Sequence, residues 1–150
     1  MAELTRQEVI KIIAVAGYQK VNLHGVDLSG LDLSYLNLSN ADLCYANLEG
    51  ANLFHTMLYD SALFSANLAG ATLSEANLGN VDLIGADLTD ANMNRASLLK
   101  ASLCGSSLLG TNMEEVLYDN ATFDGASVNS TTIWPDGFDT SKHNLYIVSE

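Results

Sequence analysis

One proline, two cysteines, one tryptophan and six basic side chains are all that this chain of 150 residues holds of those types, and each scarcity excludes something. A single proline argues against extended linkers. Six Lys and Arg against 18 Asp and Glu leave a net charge of -12. Such a chain is repelled by phosphate backbones and anionic lipid, so direct binding to nucleic acid or membrane is not expected. No run of 18 apolar residues is present to span a bilayer. The segment Ile12–Gly17 faintly resembles the end of a secretory leader, but Glu3 and Glu8 stand where a basic leader is needed and Lys11 cuts the apolar stretch short. A cytoplasmic protein is expected. Disorder is excluded as well, because 48% of residues are apolar and only 16% are charged.

What is abundant is a period. From Val21 to Pro135 every fifth residue is large and apolar, beginning Leu23, Leu28, Leu33, Leu38 and running to Ile133. This makes 23 repeats, of which 17 are centred on Leu, with Ala two places before the centre in 12. Between these two positions stands mostly Asn, Asp, Ser or Thr. A helix would carry successive centres around its axis, and a flat strand would place them on alternate faces. A bend in every repeat returns each centre to one side, so the chain must coil around a Leu-filled axis.

The glycines indicate how many bends close a coil. Eight repeats place Gly two residues after the centre, at 25, 30, 50, 70, 85, 105, 110 and 125. Sorted by a 20-residue period they occupy two of four columns; sorted by 15 they scatter over all three. Four repeats per coil are therefore expected, giving four faces, numbered here by their first centres Leu23, Leu28, Leu33 and Leu38.

In its Ala-(Asp/Asn)-Leu-x-x pattern, as in Ala41-Asp42-Leu43 and Ala46-Asn47-Leu48, the chain resembles the pentapeptide-repeat family over about three quarters of its length. The resemblance implies an all-β solenoid, a right-handed quadrilateral β-helix. The segment Trp134–Asp139 also resembles the end of many cyanobacterial members. The expected organisation is a helical cap within residues 1–20, a β-helix of just under six coils over 21–135, and a cap and tail over 136–150.

Thr5-Arg6-Gln7-Glu8 reads as a capping box. Val9, Ile12, Ile13 and Ala16 follow at helical spacing with Gly17 as a stop, so residues 5–17 are expected to close the first coil. Val21, Val26, Leu31 and Leu36 offer that coil a broad apolar seat. Trp134 with Phe138 can cover the last coil, and residues from Thr140 onward are expected to be loose.

A solid Leu axis with no inserted loop leaves no place for a concave active site, so no enzyme, cofactor or metal is expected. Cys44 and Cys104 share a column three coils apart, about 14 Å at the spacing of paired strands, which is too far for a disulfide. His24 stands one coil from Cys44, yet two ligands alone do not make a metal site. The acids, among them Asp27, Asp32, Asp42, Asp82, Asp87 and Asp90, occupy the routine Asp/Asn slot and read as solvated repeat polarity.

The outward residues are distributed unevenly. After the first-face centres come His24, Cys44, Phe64, Ile84, Cys104 and Asp124, and the fourth face adds Met57, Tyr59, Leu99 and Leu117. Faces two and three hold 8 of the 13 acids of the repeats. The candidate protein interface is thus Cys44, Met57, Tyr59, Phe64, Ile84, Leu99, Cys104 and Leu117. Against it stands ordinary drift at tolerant surface positions. The expected function is a non-enzymatic protein that binds a protein partner, or a second copy of itself, through this apolar half. The alternative, implied by the family resemblance, is an acidic mimic of duplex DNA that binds gyrase; the shortness of the stack and its lack of loops count against it.

Overall fold

The structure is a computed structural model that describes residues 4–149. Parallel bridges join residues 20 apart throughout the repeats, from Asn22 with Asp42 to Ser107 with Ser127. Four repeats therefore make one coil, and identical positions stack in columns along the axis.

Each repeat makes the same bonds. The amide of a centre donates to the next coil, as Leu23 does to the Asp42 carbonyl at 2.8 Å, and the amide two places on does likewise, as Gly25 does to Cys44 at 2.9 Å. The Leu23 carbonyl meanwhile accepts from Val26 at 3.2 Å and closes a four-residue turn. Its third residue has positive φ, the mark of a type II turn. Turn geometry alone does not account for the glycine columns. Corner residues with positive φ occur on all four sides, and 13 of them are not glycine, including Tyr35, His55, Glu75 and Arg95. Glycine is favoured at such corners but not required by them.

The Asp/Asn slot has a local role. At 13 corners its side-chain oxygen accepts from the amide two residues later, from Asn22 with His24 to Asn112 with Glu114. Asp and Asn stand there because their short side chains make this turn. Inside, the Leu centres and the Ala positions are buried in one continuous core. Thr56, Thr111, Ser61 and Ser106 replace Ala and satisfy their hydroxyls on the carbonyls of Leu33, Leu88, Leu58 and Leu103.

Helix α1 spans Arg6–Ala16, with Thr5 and Glu8 forming the capping box and Gly17 at φ 56 beyond its end. Val9 is fully buried, and Leu4, Ile12, Ile13 and Ala16 pack on the core. Arg6 reaches the edge of the first coil and donates to the carbonyls of Asp32 and Ser34. These carbonyls face away from the second coil and have no earlier coil to bond.

Two expectations are corrected at the other end. The repeat does not run unbroken to Ile133: Asn112 pairs with Ile133, an offset of 21. The turn after Val128 takes one extra residue and closes from Thr132 to the Asn129 carbonyl. Thr132 is consequently buried, while Ile133 points outward at 49% exposure. Trp134 follows in the inward slot and meets Phe123 edge-on at 5.9 Å. Nor is the chain after Thr140 loose. A short 3-10 turn at Thr140–Lys142 leads to strand β2 (Tyr146–Ile147), which pairs in parallel with β1 (Ser127–Val128).

Candidate protein-binding face

The slot between Ala and Leu commonly holds Asp or Asn, and two repeats of face four give it to apolar residues while Asn37 and Asn77 keep it. Met57 and Leu117 occupy that slot at 43% and 56% exposure. Neither can accept the turn hydrogen bond, so the repeat forgoes it at both corners for an exposed apolar side chain. Between them in the column are Asn77 and Ser97.

Tyr59 and Leu99 flank the same face along its edge with face one. A Cβ on Gly79 would lie 2.9 Å from Cδ2 of Tyr59, so the ring is spread across that glycine. Tyr59 and Leu99 then line a shallow groove of about 390 Å³ with Ala76, Asn77 and Ser97. Its opposite wall is the corner between faces three and four, represented by Glu75 and Arg95. That corner carries a ladder of side chains. Tyr35 stacks on His55 at 5.4 Å, His55 Nε2 meets Glu75 at 2.7 Å, and Arg95 Nε meets Glu115 at 2.8 Å. The bonds from Arg95 hold the Glu115 carboxyl below its ordinary range and raise the guanidinium.

Phe64 and Ile84 stand in adjacent coils of one column, linked by the bond from the Ser65 amide to the Ile84 carbonyl. Phe64 also meets Tyr45 edge-on at 5.5 Å. Between this strip and the Tyr59–Leu99 strip runs the middle column of face one, with Asp42, Ala62, Asp82 and Ser102. The apolar half thus consists of two strips along that column. Cys44 and Cys104 lie in the Phe64 column as half-buried free thiols. Cys104 Sγ is 3.3 Å from the Thr122 hydroxyl.

The sequence reading missed the aromatic rings at the corners. Tyr35 and Tyr45 are 67% and 55% exposed, and Phe54 packs edge-on against both Tyr35 and His55. The 20-residue step from Tyr35 to His55 was the available signal. Among the described residues no helix is long and apolar enough to cross a membrane.

Coils of four five-residue repeats, laddered face by face around a Leu axis, define a β-helical solenoid. The chain belongs to the pentapeptide-repeat family: a family profile described as "Pentapeptide repeats" matches residues 22–58, 63–98 and 82–117 with 8 copies. Its fold is the right-handed quadrilateral β-helix of that family. It is similar to the solved structure of the pentapeptide-repeat protein Rfr23 from the cyanobacterium Cyanothece 51142. The two are 27% identical over 83% of this chain and 98% of that one, with a TM-score of 0.77. It is also similar to HetL, a pentapeptide-repeat protein involved in heterocyst differentiation regulation from the cyanobacterium Nostoc sp. strain PCC 7120. That match is 26% identical over 85% of this chain and 67% of HetL, with a TM-score of 0.58. QnrB1, a plasmid-mediated fluoroquinolone resistance protein, matches at 17% identity over 87% of this chain and 85% of its own, with a TM-score of 0.48. No curated protein matches the chain.

Proposed function

We propose that the protein is a non-enzymatic interaction scaffold that seats a protein partner, a second copy of the chain being one candidate, on face four and its border with face one. The observation that carries this reading is the replacement of Asp/Asn by Met57 and Leu117. A slot that makes a turn hydrogen bond at 13 other corners is given to an exposed apolar side chain, at a local cost of about 0.5–1.5 kcal/mol each. The Tyr59–Leu99 groove beside them supplies shape, and Phe64 with Ile84 forms the second strip. Large exposed apolar patches on a rigid frame are the usual mark of a protein contact. In the same reading α1 is a cap that keeps the first coil from pairing with other chains. The relative HetL, described by its involvement in regulation, accords with a binding role. The acids of faces two and three favour a DNA mimic less, because amides interrupt the charge along the column, Asn47 and Asn67 standing between Asp27 and Asp87.

Two variant sets test the proposal by light scattering and by capture of partners from the source cell. Phe64→Ser with Ile84→Ser, and Met57→Asn with Leu117→Asn, are expected to keep the fold and abolish association; the Asn pair should melt no lower than the parent. Asp27, Asp87 and Asp90 changed to Lys are expected to leave association intact. The opposite pattern, with loss only in the Lys set, would sink the apolar-face reading and favour the mimic.

A further inference from the structure

We propose that His24, Asp42 and Cys44 form a binding site for a divalent transition metal of borderline softness, zinc being the best fit. The three residues come from two adjacent coils. The ladder bonds from Leu23 to Asp42 and from Gly25 to Cys44 bracket His24 on the backbone and set it opposite the other two. Nδ1 of His24 lies 3.5 Å from the Asp42 carboxylate, and one ligand atom from each residue lies within 4.8 Å of the others. A nitrogen, an oxygen and a sulfur donor suit zinc better than magnesium or calcium, which prefer oxygen alone. Tetrahedral coordination at the usual zinc distances places ligand atoms roughly 3.3–3.8 Å apart. The half-exposed His24 ring needs a small rotation to reach that spacing.

The surroundings hold the ligands in place. The Cys44 amide donates to the Asp42 carboxylate at 3.1 Å, the His24 amide donates to Asn22 at 3.1 Å, and the Tyr45 ring lies 5.4 Å from the imidazole. Burial pulls the Asp42 carboxyl upward, but the Cys44 bonds, Lys20 and His24 outweigh it and keep it below the ordinary range. Asp42 is therefore an anion at neutral pH. The Cys44 thiol is pushed up, first by burial, then by Asp42, with Asp82 two coils on adding to this and the Phe64 backbone opposing it. A metal must displace that proton, so affinity should rise with pH. Lys20, 3.8 Å from the second Asp42 oxygen, competes as a cation and has to swing aside. The resulting site has three protein ligands and a fourth position open to water or to a donor from another molecule.

Cys104, in the same column as Cys44 and two residues after Ser102, provides an internal control because no histidine stands beside it. Zinc is titrated calorimetrically into untagged, metal-free protein, and cobalt(II) reports ligation by its thiolate charge-transfer absorption. One zinc per chain is expected, with that absorption in the cobalt form and affinity about tenfold higher per pH unit while the thiol is protonated. Cys44→Ser should remove the absorption, and it and His24→Gln should each weaken zinc at least tenfold; Cys104→Ser should change nothing. His24 is an exposed side chain, so its variant keeps the fold even if Cys44→Ser does not. Absence of stoichiometric zinc binding, retention of the absorption in Cys44→Ser, or its loss in Cys104→Ser would each overturn the proposal.

Discussion

The two ends of the coil stack meet the same problem, an open row of backbone groups above an apolar core, with different chemistry. At the first coil helix α1 packs Val9, Ile12 and Ile13 against the core, but its own amides and carbonyls are turned into the helix. It cannot extend the ladder, so the Arg6 guanidinium supplies the missing donors to Asp32 and Ser34. At the last coil the chain comes back as strand β2 and extends the ladder itself: Tyr146 donates to Ala126 and Val148 to Val128, both at 2.8 Å. Aromatic rings cover the core there. Trp134 stacks on Phe138 at 4.1 Å, Phe138 stacks on His143 at 4.6 Å, and all three contact Phe123. A helix shields apolar surface well but leaves the polar edge to a side chain, whereas a strand continues the edge and leaves the apolar surface to rings.

Removing residues 1–17 is the most severe way to break this contrast. It uncovers the core and the edge together, and end-to-end association or aggregation is expected by size-exclusion chromatography with light scattering. A truncated protein that stays monomeric with an unchanged melting point would deny α1 a capping role. Next in size is Trp134→Ala, which removes the ring that packs on both Phe123 and Phe138. A loss of about 2–4 kcal/mol in chemical denaturation is expected, below the fully buried case because Trp134 is partly exposed. Arg6→Met keeps the stem of the side chain and removes the two donors together with the ion pair to Asp32. It should cost about 1–2 kcal/mol, with hydrogen exchange rising in the first coil and not in the last.

The smallest effect is that of acid. Glu8, held low by the Thr5 amide and hydroxyl, and Asp27 and Asp32, held low by Ser29 and Ser34, cluster with Asp42 at the first end. At the last end only Asp139, bonded to Ser141, is lowered among the described carboxyls beyond the final coil. A carboxyl whose folded pKa is depressed stabilises fully above its unfolded value, near 4, and loses that contribution as pH falls through the folded one. Exchange measured from neutral pH down to about 3 should therefore rise first in α1 and the first coil. Uniform protection along the chain would remove the distinction between the ends.

The coil was legible in the sequence because its cause is strictly periodic: each Leu must return to one axis, and 20-residue columns follow. The helix was legible from Thr5, Glu8 and the spacing of Val9, Ile12 and Ile13. The slip after Val128 was hidden because Ile133 keeps the five-residue count while Trp134, one place on, takes the inward slot. The tail was read as loose because a strand of two residues, Tyr146–Ile147, has no period of its own and is fixed only by the edge it pairs with. At the candidate face, Met57 and Tyr59 were visible as apolar residues in polar slots. The flattening of Tyr59 over Gly79 was not, since it depends on which column neighbour lacks a side chain. His24 and Cys44 were seen as a pair, and Asp42 joins them from the neighbouring column because its corner turn with the Cys44 amide holds the carboxylate beside His24.

The 20-residue repeat of the bridges also limits how such a chain can change in length. A duplication or deletion of 20 codons within the regular coils adds or removes one storey and leaves every column in line. A change of five codons preserves the hydrophobic centres equally well, yet turns everything downstream by a quarter revolution. Placed between them, such a change would leave Tyr59 no longer sharing an edge with Leu99, although each coil would still be well packed. Mutational tolerance for folding and for recognition are thus set by different divisors of one number, and length variants of this rod can keep their melting point while exchanging one face for another.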